Sequence, residues 1–379
     1  MVNRTFWLSR IEKLWRHRTV IWLSGVRRTG KTFLCRSIPG VEYFDCELPR
    51  TRAMMEDMES FLDGLHGKKV ILDEIHRLQN PAQLLKIAAD HYKDVRIIAT
   101  GSSTLGASAK FKDTLTGRKE TLWLTPMIMA DLLDFKSANL DHRLLRGGLP
   151  PFFMEKEAPE RDFQEWMESY WAKDIQELFR LERRASFQKF LELLFVNSGG
   201  IFEATKYTSP CEVSRTSIAN YLKAAEATYV AHIIRPFSSH KPTEIISAPK
   251  VYAFDTGFVC YFRGWDKLRK EDRGGLWEHF VLNEMMAQLQ SREINYWRTK
   301  QHREVDFILP LRNGHVHAIE CKMSEKDFDP AAICAFRQTY KDGRNFVVCN
   351  DVPKAFNRRY GDTDVRITGL TDFIAEIIA

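Results

Sequence analysis

The chain has 379 residues, room for two or three domains, and 44% of them are hydrophobic and 12% aromatic, which excludes a disordered or fibrous protein. Its net charge of +6 and pI of about 8.8 admit a nucleic-acid partner without requiring one. The seven cysteines form no C-x-x-C pair, so neither a zinc site nor a disulfide framework is expected. No apolar run approaches the roughly 18 residues of a membrane span, and residues 1–6 lack an apolar signal core. The expectation is a soluble, cytoplasmic protein with no membrane partner.

Residues 7–18 read as an amphipathic helix, with Trp7, Leu8, Ile11, Leu14 and Trp15 on one face. The apolar run Ile21-Trp22-Leu23-Ser24 then leads into Gly25-Val26-Arg27-Arg28-Thr29-Gly30-Lys31-Thr32. That stretch fits G-x-x-x-x-G-K-[ST], a strand–loop–helix phosphate cradle. Two glycines allow a tight turn that aims successive N–H groups and a helix N-terminus at phosphates. Lys31 is placed to reach the β- and γ-phosphates of ATP, and the Thr32 hydroxyl to ligate Mg²⁺. Gly25, Val26, Arg27, Arg28, Thr29, Gly30, Lys31, Thr32 and Phe33 are the candidate nucleotide-binding residues.

A strand at 41–45 and a helix around 51–65 follow. Lys68-Lys69-Val70-Ile71-Leu72 is a second buried strand, ending in Asp73 for the Mg²⁺ shell and Glu74 for polarising the attacking water. After a helix near 81–91, the strand at 95–103 ends in Thr100, Ser102 and Ser103. These hydroxyls either sense the γ-phosphate or belong to a Gly-Ser turn. The strand at 121–124 closes an expected parallel sheet flanked by helices. Arg118, in Thr116-Gly117-Arg118-Lys119, is a candidate arginine finger acting on a neighbouring subunit's nucleotide, or else a solvated arginine.

Residues 1–135 thus read as an ATPase core. Residues 136–184 read as a helical lid, broken at Arg146-Gly147-Gly148-Leu149-Pro150-Pro151. Residues 185–257 outline a winged helix-turn-helix, with Arg215, Thr216, Ser217 and Asn220 on the candidate recognition helix and a two-stranded wing around 238–242. Such a module serves either DNA or protein contacts. After a basic connector at 258–273, residues up to 379 form another α/β unit. Asp306 stands on one of its strands and Glu320-Cys321-Lys322 on the next, where Glu320 and Lys322 share a face. If the strands pair, Asp306 and Glu320 can hold a divalent cation, Lys322 can orient water or offset phosphate charge, and Glu278 can complete the shell. A solvated surface strand pair is the alternative.

The order Glu278, Asp306, Glu320-x-Lys322 resembles the PD-(D/E)xK restriction-endonuclease-like superfamily, with Val305 in place of the motif's proline. The chain as a whole resembles a prokaryotic AAA-type ATPase family whose C-terminal region is a domain of unknown function. The resemblance rests on the phosphate loop, Leu72-Asp73-Glu74-Ile75-His76, Thr100-Gly101-Ser102-Ser103, Gly117-Arg118, Gly147-Gly148-Leu149-Pro150, Pro249-Lys250-Val251-Tyr252-Ala253-Phe254-Asp255-Thr256-Gly257 and the C-terminal charges. It implies an α/β P-loop ATPase, a winged-helix middle and a nuclease-like end. It also implies a homo-oligomer as the working form, a hexameric ring being one such assembly. The sequence thus points to an ATP- and Mg²⁺-dependent protein acting on DNA, as a motor or an ATP-gated nuclease. A regulatory or defence-type switch whose nuclease-like domain binds without cutting is the alternative.

Overall fold

The computed structural model describes the chain except residues 1, 102–108, 138, 156–159, 177, 178, 180, 182, 239–247, 312, 313 and 379 and the side chains of 109, 110 and 112. The fold divides into two compact units. The first comprises Met1–Asn139, Gly148–Glu182 and Ala227–Val230, and the second Leu140–Gly147, Arg183–Glu226 and Ala231–Ala379.

The first unit is built on β1 (Val20–Ser24), β2 (Val41–Asp45), β3 (Lys69–Asp73), β4 (Arg96–Thr100) and β5 (Lys119–Trp123), in the order β2-β3-β4-β1-β5 with every pair parallel. Parallel neighbours need crossovers, which the helices Lys31–Arg36, Pro49–Met54, Met58–Asp63, Pro81–His91 and Ala109–Leu115 supply. Central strands covered on both faces read as unbroken apolar runs, and β1 is buried at all five positions. Trp22, Leu72, Leu85, Ile97 and Phe111 belong to the core on one side of this sheet. The single helix expected around 51–65 is two, because the Asp57 carboxylate accepts from the Ser60 N–H and starts a fresh helix. The N-terminal helix is Thr5–Leu14 rather than 7–18.

In the second unit the order is helix Arg184–Val196, β6 (Gly200–Ile201), helices Thr205–Cys211 and Arg215–Ala227, β7 (Ala231–Pro236) and β8 (Lys250–Ala253). β8 pairs antiparallel with both β6 and β7. The chain continues through β9 (Asn295–Arg298), β10 (Glu304–Pro310), β11 (Val316–Lys322), helix Ala331–Thr339, β12 (Asn345–Cys349), β13 (Phe356–Tyr360) and β14 (Thr363–Gly369). These join one nine-stranded sheet, β13-β14-β12-β11-β10-β9-β7-β8-β6. The expected connector at 258–273 is instead the helix Thr256–Phe262 and the start of a 20-residue helix, Lys270–Leu289.

The expected 136–184 lid is also divided, since the helix Leu140–Arg146 belongs to the second unit and residues 148–182 to the first. Arg143 donates to the Thr256 hydroxyl at 3.0 Å and pairs with Asp255 at 3.7 Å, fully buried. Gly147 (φ +84°) and Gly257 let the two backbones meet there, because a Cβ on Gly257 would collide with the Arg146 carbonyl. Gly257→Ala is therefore expected to cost about 1–3 kcal/mol of stability by overpacking, measurable as a shift in urea midpoint.

Candidate functional site

Gly25, at φ +143°, ends β1 where a Cβ would overlap the Leu124 carbonyl, so only glycine passes. Gly30, at φ +91°, precedes the helix Lys31–Arg36. Between them the Lys31 ammonium is folded back onto its own loop, donating to the carbonyls of Gly25 at 2.9 Å and Val26 at 3.1 Å. Burial lowers its pKa most, and Arg27 adds to that, while Glu74, Asp174 and Asp73 pull it back up.

The loop is tethered from outside. Arg4 donates to the Thr29 carbonyl at 2.8 Å, and its Nε and second amino group each meet an Asp131 oxygen at 2.7 Å. Asp131 also accepts from the Trp7 indole (3.2 Å) and the Ile128 N–H (3.0 Å). Arg27 pairs with Asp174 at 3.1 Å, and Arg28 lies 3.8 Å from Glu165.

At the end of β3 the Asp73 carboxylate gathers three hydroxyls. Thr32 donates to it at 3.0 Å, and Tyr43 and Thr100 also donate. Glu74 follows at φ +53°, its N–H on the Thr100 hydroxyl at 3.2 Å and its carboxylate 3.2 Å from His76 Nδ1. Burial pushes Glu74 up, but His76, Lys31 and Arg27 outweigh it, so the group is held below the ordinary glutamate range. A cavity of about 640 Å³ opens onto Lys31, Thr32 and Glu74. It is apolar toward Val2, Phe33, Phe135, Pro150, Pro151 and Met154.

Of the nucleotide candidates, Gly25, Arg27, Arg28, Gly30, Lys31, Thr32 and Phe33 line this cavity, whereas Val26 and Thr29 are buried and offer only backbone. Ser102 lies outside the described residues, as do Ser103 and residues 239–242 of the expected wing. Arg118 is paired with Asp90 at 2.8 Å and does not line the cavity. Arg4, Asp131 and Asp174 were not singled out in the sequence, where nothing brings residue 4 next to residue 131, and His76 stood there only as the end of the stretch 72–76.

In the second unit β10 and β11 are antiparallel with Phe307 opposite Ile319, so the next step sets Asp306 across from Glu320. On the β9 side the register shifts between Val305 and Ile308, the stretch that holds Asp306. Asp306 accepts from the Cys321 N–H at 2.8 Å. Lys322 sits 2.7 Å from Glu320 and 3.6 Å from Asp306. Glu320 Oε1 is buried with no hydrogen-bond partner. Burial first, then Asp306, pushes both Glu320 and Glu278 upward, Glu320 far above the usual range.

The expected third ligand is engaged elsewhere. Glu278 accepts from Tyr252 and from Lys250 at 3.3 Å, and Lys250 also pairs with Glu304. Among the described residues no three His, Cys, Asp or Glu side chains are grouped to hold a metal ion. Lys250 pairs with Glu278 and Glu304, and Lys322 with Asp306 and Glu320. Lys250 and Tyr252 stand two apart on β8 and so share a face, a signal the sequence did carry.

The parallel sheet, the phosphate loop at the end of β1 and the carboxylate pair after β3 define a P-loop nucleotide-binding domain. Residues 17–133 match the family model described as an AAA domain, which supports an AAA-type P-loop ATPase for this segment. Residues 137–269 and 273–367 match two domains of unknown function, DUF8612 and DUF4143. Uncharacterized proteins of Mycobacterium bovis and Mycobacterium tuberculosis are each 27% identical over 335 residues, which is 85% of this chain and 74% of theirs. A Walker-type ATPase of Pyrococcus abyssi is similar at 14% identity and TM-score 0.44, over 69% of this chain and 96% of that one. No helix among the described residues is long and apolar enough to cross a membrane.

Arg4→Met would leave the Asp131 carboxylate buried without its cation. A loss of about 3–5 kcal/mol in unfolding free energy is expected, checked by denaturant titration.

Proposed function

We propose that this chain binds and hydrolyses ATP with Mg²⁺ and couples the turnover to an action on DNA. The observation that carries the reading is the convergence of Lys31, Thr32 and Glu74 on one cavity, with Asp73 accepting from the Thr32 hydroxyl. The loop N–H groups and the N-terminus of the helix Lys31–Arg36 receive the phosphates. Lys31 exchanges its two carbonyl partners for phosphate oxygens, and the base rests against the apolar end at Phe135, Pro150, Pro151 and Met154. Thr32 and Asp73 offer hard oxygen donors, which suits Mg²⁺, and the ion supplies charge neutralisation on the phosphates. Glu74, ionised and positioned by His76, takes the proton of the attacking water. Arg118 is assigned to a neighbouring copy's nucleotide in a homo-oligomer.

DNA is the proposed partner through the helix Arg215–Ala227, whose Arg215, Thr216, Asn220 and Lys223 are exposed beside the antiparallel β7 and β8 in a winged-helix order of elements. For the C-terminal cluster, the orphaned Glu320 oxygen favours a divalent cation held by Asp306 and Glu320, with Lys322 at the scissile phosphate. A domain that binds DNA without cutting is the second reading, favoured by the engagement of Glu278 with Lys250 and Tyr252.

Lys31→Ala is expected to abolish nucleotide binding, and Glu74→Gln to keep binding while cutting turnover by about 100-fold or more. Phosphate release and equilibrium nucleotide titration check both, and wild-type turnover in the glutamine variant would remove Glu74 from the mechanism. Wild type should also cleave DNA with Mg²⁺ or Mn²⁺, and Asp306→Ala should not. Equal cutting by both, or by neither, leaves the cluster a binding module.

A further inference from the structure

Asp174 lines the nucleotide cavity and has no task in the chemistry above. It is presented by the π-helical turn Trp171–Gln176, which continues the helix Glu160–Tyr170. A π turn sacrifices regular helical hydrogen bonding and recurs where a side chain must be aimed at a functional site. The Asp174 carboxylate accepts from Arg27 Nε at 3.1 Å, inside the phosphate loop. The same segment grips the loop twice more. Trp166 donates its indole N–H to the Arg27 carbonyl at 3.2 Å, and Glu165 lies 3.8 Å from Arg28. All three contacts fall on two adjacent loop residues.

Asp174 shares the lining of the cavity with Arg27, Lys31 and Glu74. Its charge acts on Arg27, Lys31 and Glu74. The proposed chemistry places Lys31 and Glu74 at the terminal phosphate, away from the apolar end that takes the base. An anion already stands where the last phosphate of a nucleoside triphosphate brings further negative charge. Two anions cannot both keep Arg27 at close range without a cost, since like charges a few ångströms apart in a half-buried cavity repel strongly. A diphosphate, one phosphate shorter, leaves the pair alone.

We propose that Asp174 senses the triphosphate: its carboxylate and the terminal phosphate of ATP compete for Arg27, so that ATP, and not ADP, releases segment 160–176 from the phosphate loop. This rests on the nucleotide reading of the cavity and adds to it the element that reports which nucleotide is bound. Asp174 acts through Arg27 and is a positioning residue. The site thereby spends part of its affinity for ATP on moving the segment, and removing the carboxylate returns that part to binding.

The test uses the full chain and its Asp174→Asn variant, with a non-hydrolysable ATP analogue and with ADP, each with Mg²⁺. Two quantities are read: equilibrium affinity, and backbone amide hydrogen exchange across 160–176. In wild type the analogue should speed exchange in this segment and ADP should leave it unchanged. In Asp174→Asn the analogue should bind about tenfold more tightly than in wild type, ADP as before, and exchange should no longer depend on which nucleotide is present. Asp174→Glu, which keeps the carboxylate, should retain the wild-type affinity ratio. Should the asparagine variant fail to fold, Arg27→Gln opens the same pair from the other side and should speed exchange across 160–176 without any nucleotide. An unchanged analogue-to-ADP ratio in Asp174→Asn, or slower exchange in wild type with the analogue, overturns the proposal while leaving nucleotide binding intact. A wild type that binds neither nucleotide overturns both.

Discussion

The half-buried Lys31 ammonium is the constraint on which the first unit depends. It is desolvated enough to lower its pKa, its hydrogen bonds go to two carbonyls of its own loop, and its compensating charges, Glu74, Asp174 and Asp73, act through the field of the site. A cation held this way, with only loop carbonyls as hydrogen-bond acceptors, is suited to an anion with several oxygens. Gly25 and Gly30 allow the loop its path, and the Arg4–Asp131 pair fixes the Thr29 carbonyl from behind. Asp73 gathers the hydroxyls of Thr32, Tyr43 and Thr100, so the end of β3, the helix Lys31–Arg36 and the end of β4 share one acceptor. Loss of any one of these ties loosens the others, because a buried carboxylate must keep its donors.

The C-terminal cluster obeys the same electrostatics with a different outcome. Glu278, Glu304, Asp306 and Glu320 are brought together, and Lys250, Lys322 and Arg298 stand among them. Most of the carboxylate oxygens thereby gain partners, and Glu320 Oε1 does not. Gathering these charges, Asp306, Glu320 and Lys250 of them buried, is costly for stability alone. Glu278 is engaged by Lys250 and Tyr252, while Lys322 is shared between Asp306 and Glu320.

Contiguity decided what was legible in the sequence. The loop and the strands on either side of it lie within short apolar and glycine-marked runs, so local chemistry alone announces them. The register of β10 on β11 followed from strand alternation, because pairing two apolar strands with charges at fixed spacing leaves few choices. What escaped depends on distance or on tertiary support. Arg4 and Asp131 are 127 residues apart. Gly274 and Gly275 look like a break, yet the helix Lys270–Leu289 runs straight through them because its next turns are buried against the sheet strand β11 and the helix Leu370–Ile378. The hairpin of β13 and β14 hides because β13 is largely exposed, with Arg358 and Arg359 where a buried strand would be apolar. Asp57 broke an expected helix by capping a new one, a signal that propensity alone does not weigh.

The central claim is that the cavity over Lys31 is a hydrolytic nucleotide site. Single-turnover hydrolysis tests it most directly, with the full chain in excess over labelled ATP, in Mg²⁺ and in chelator. All bound ATP is expected to convert to ADP and phosphate in one exponential phase that chelator abolishes. ATP recovered intact after prolonged incubation with Mg²⁺, with none retained on the protein, would contradict it.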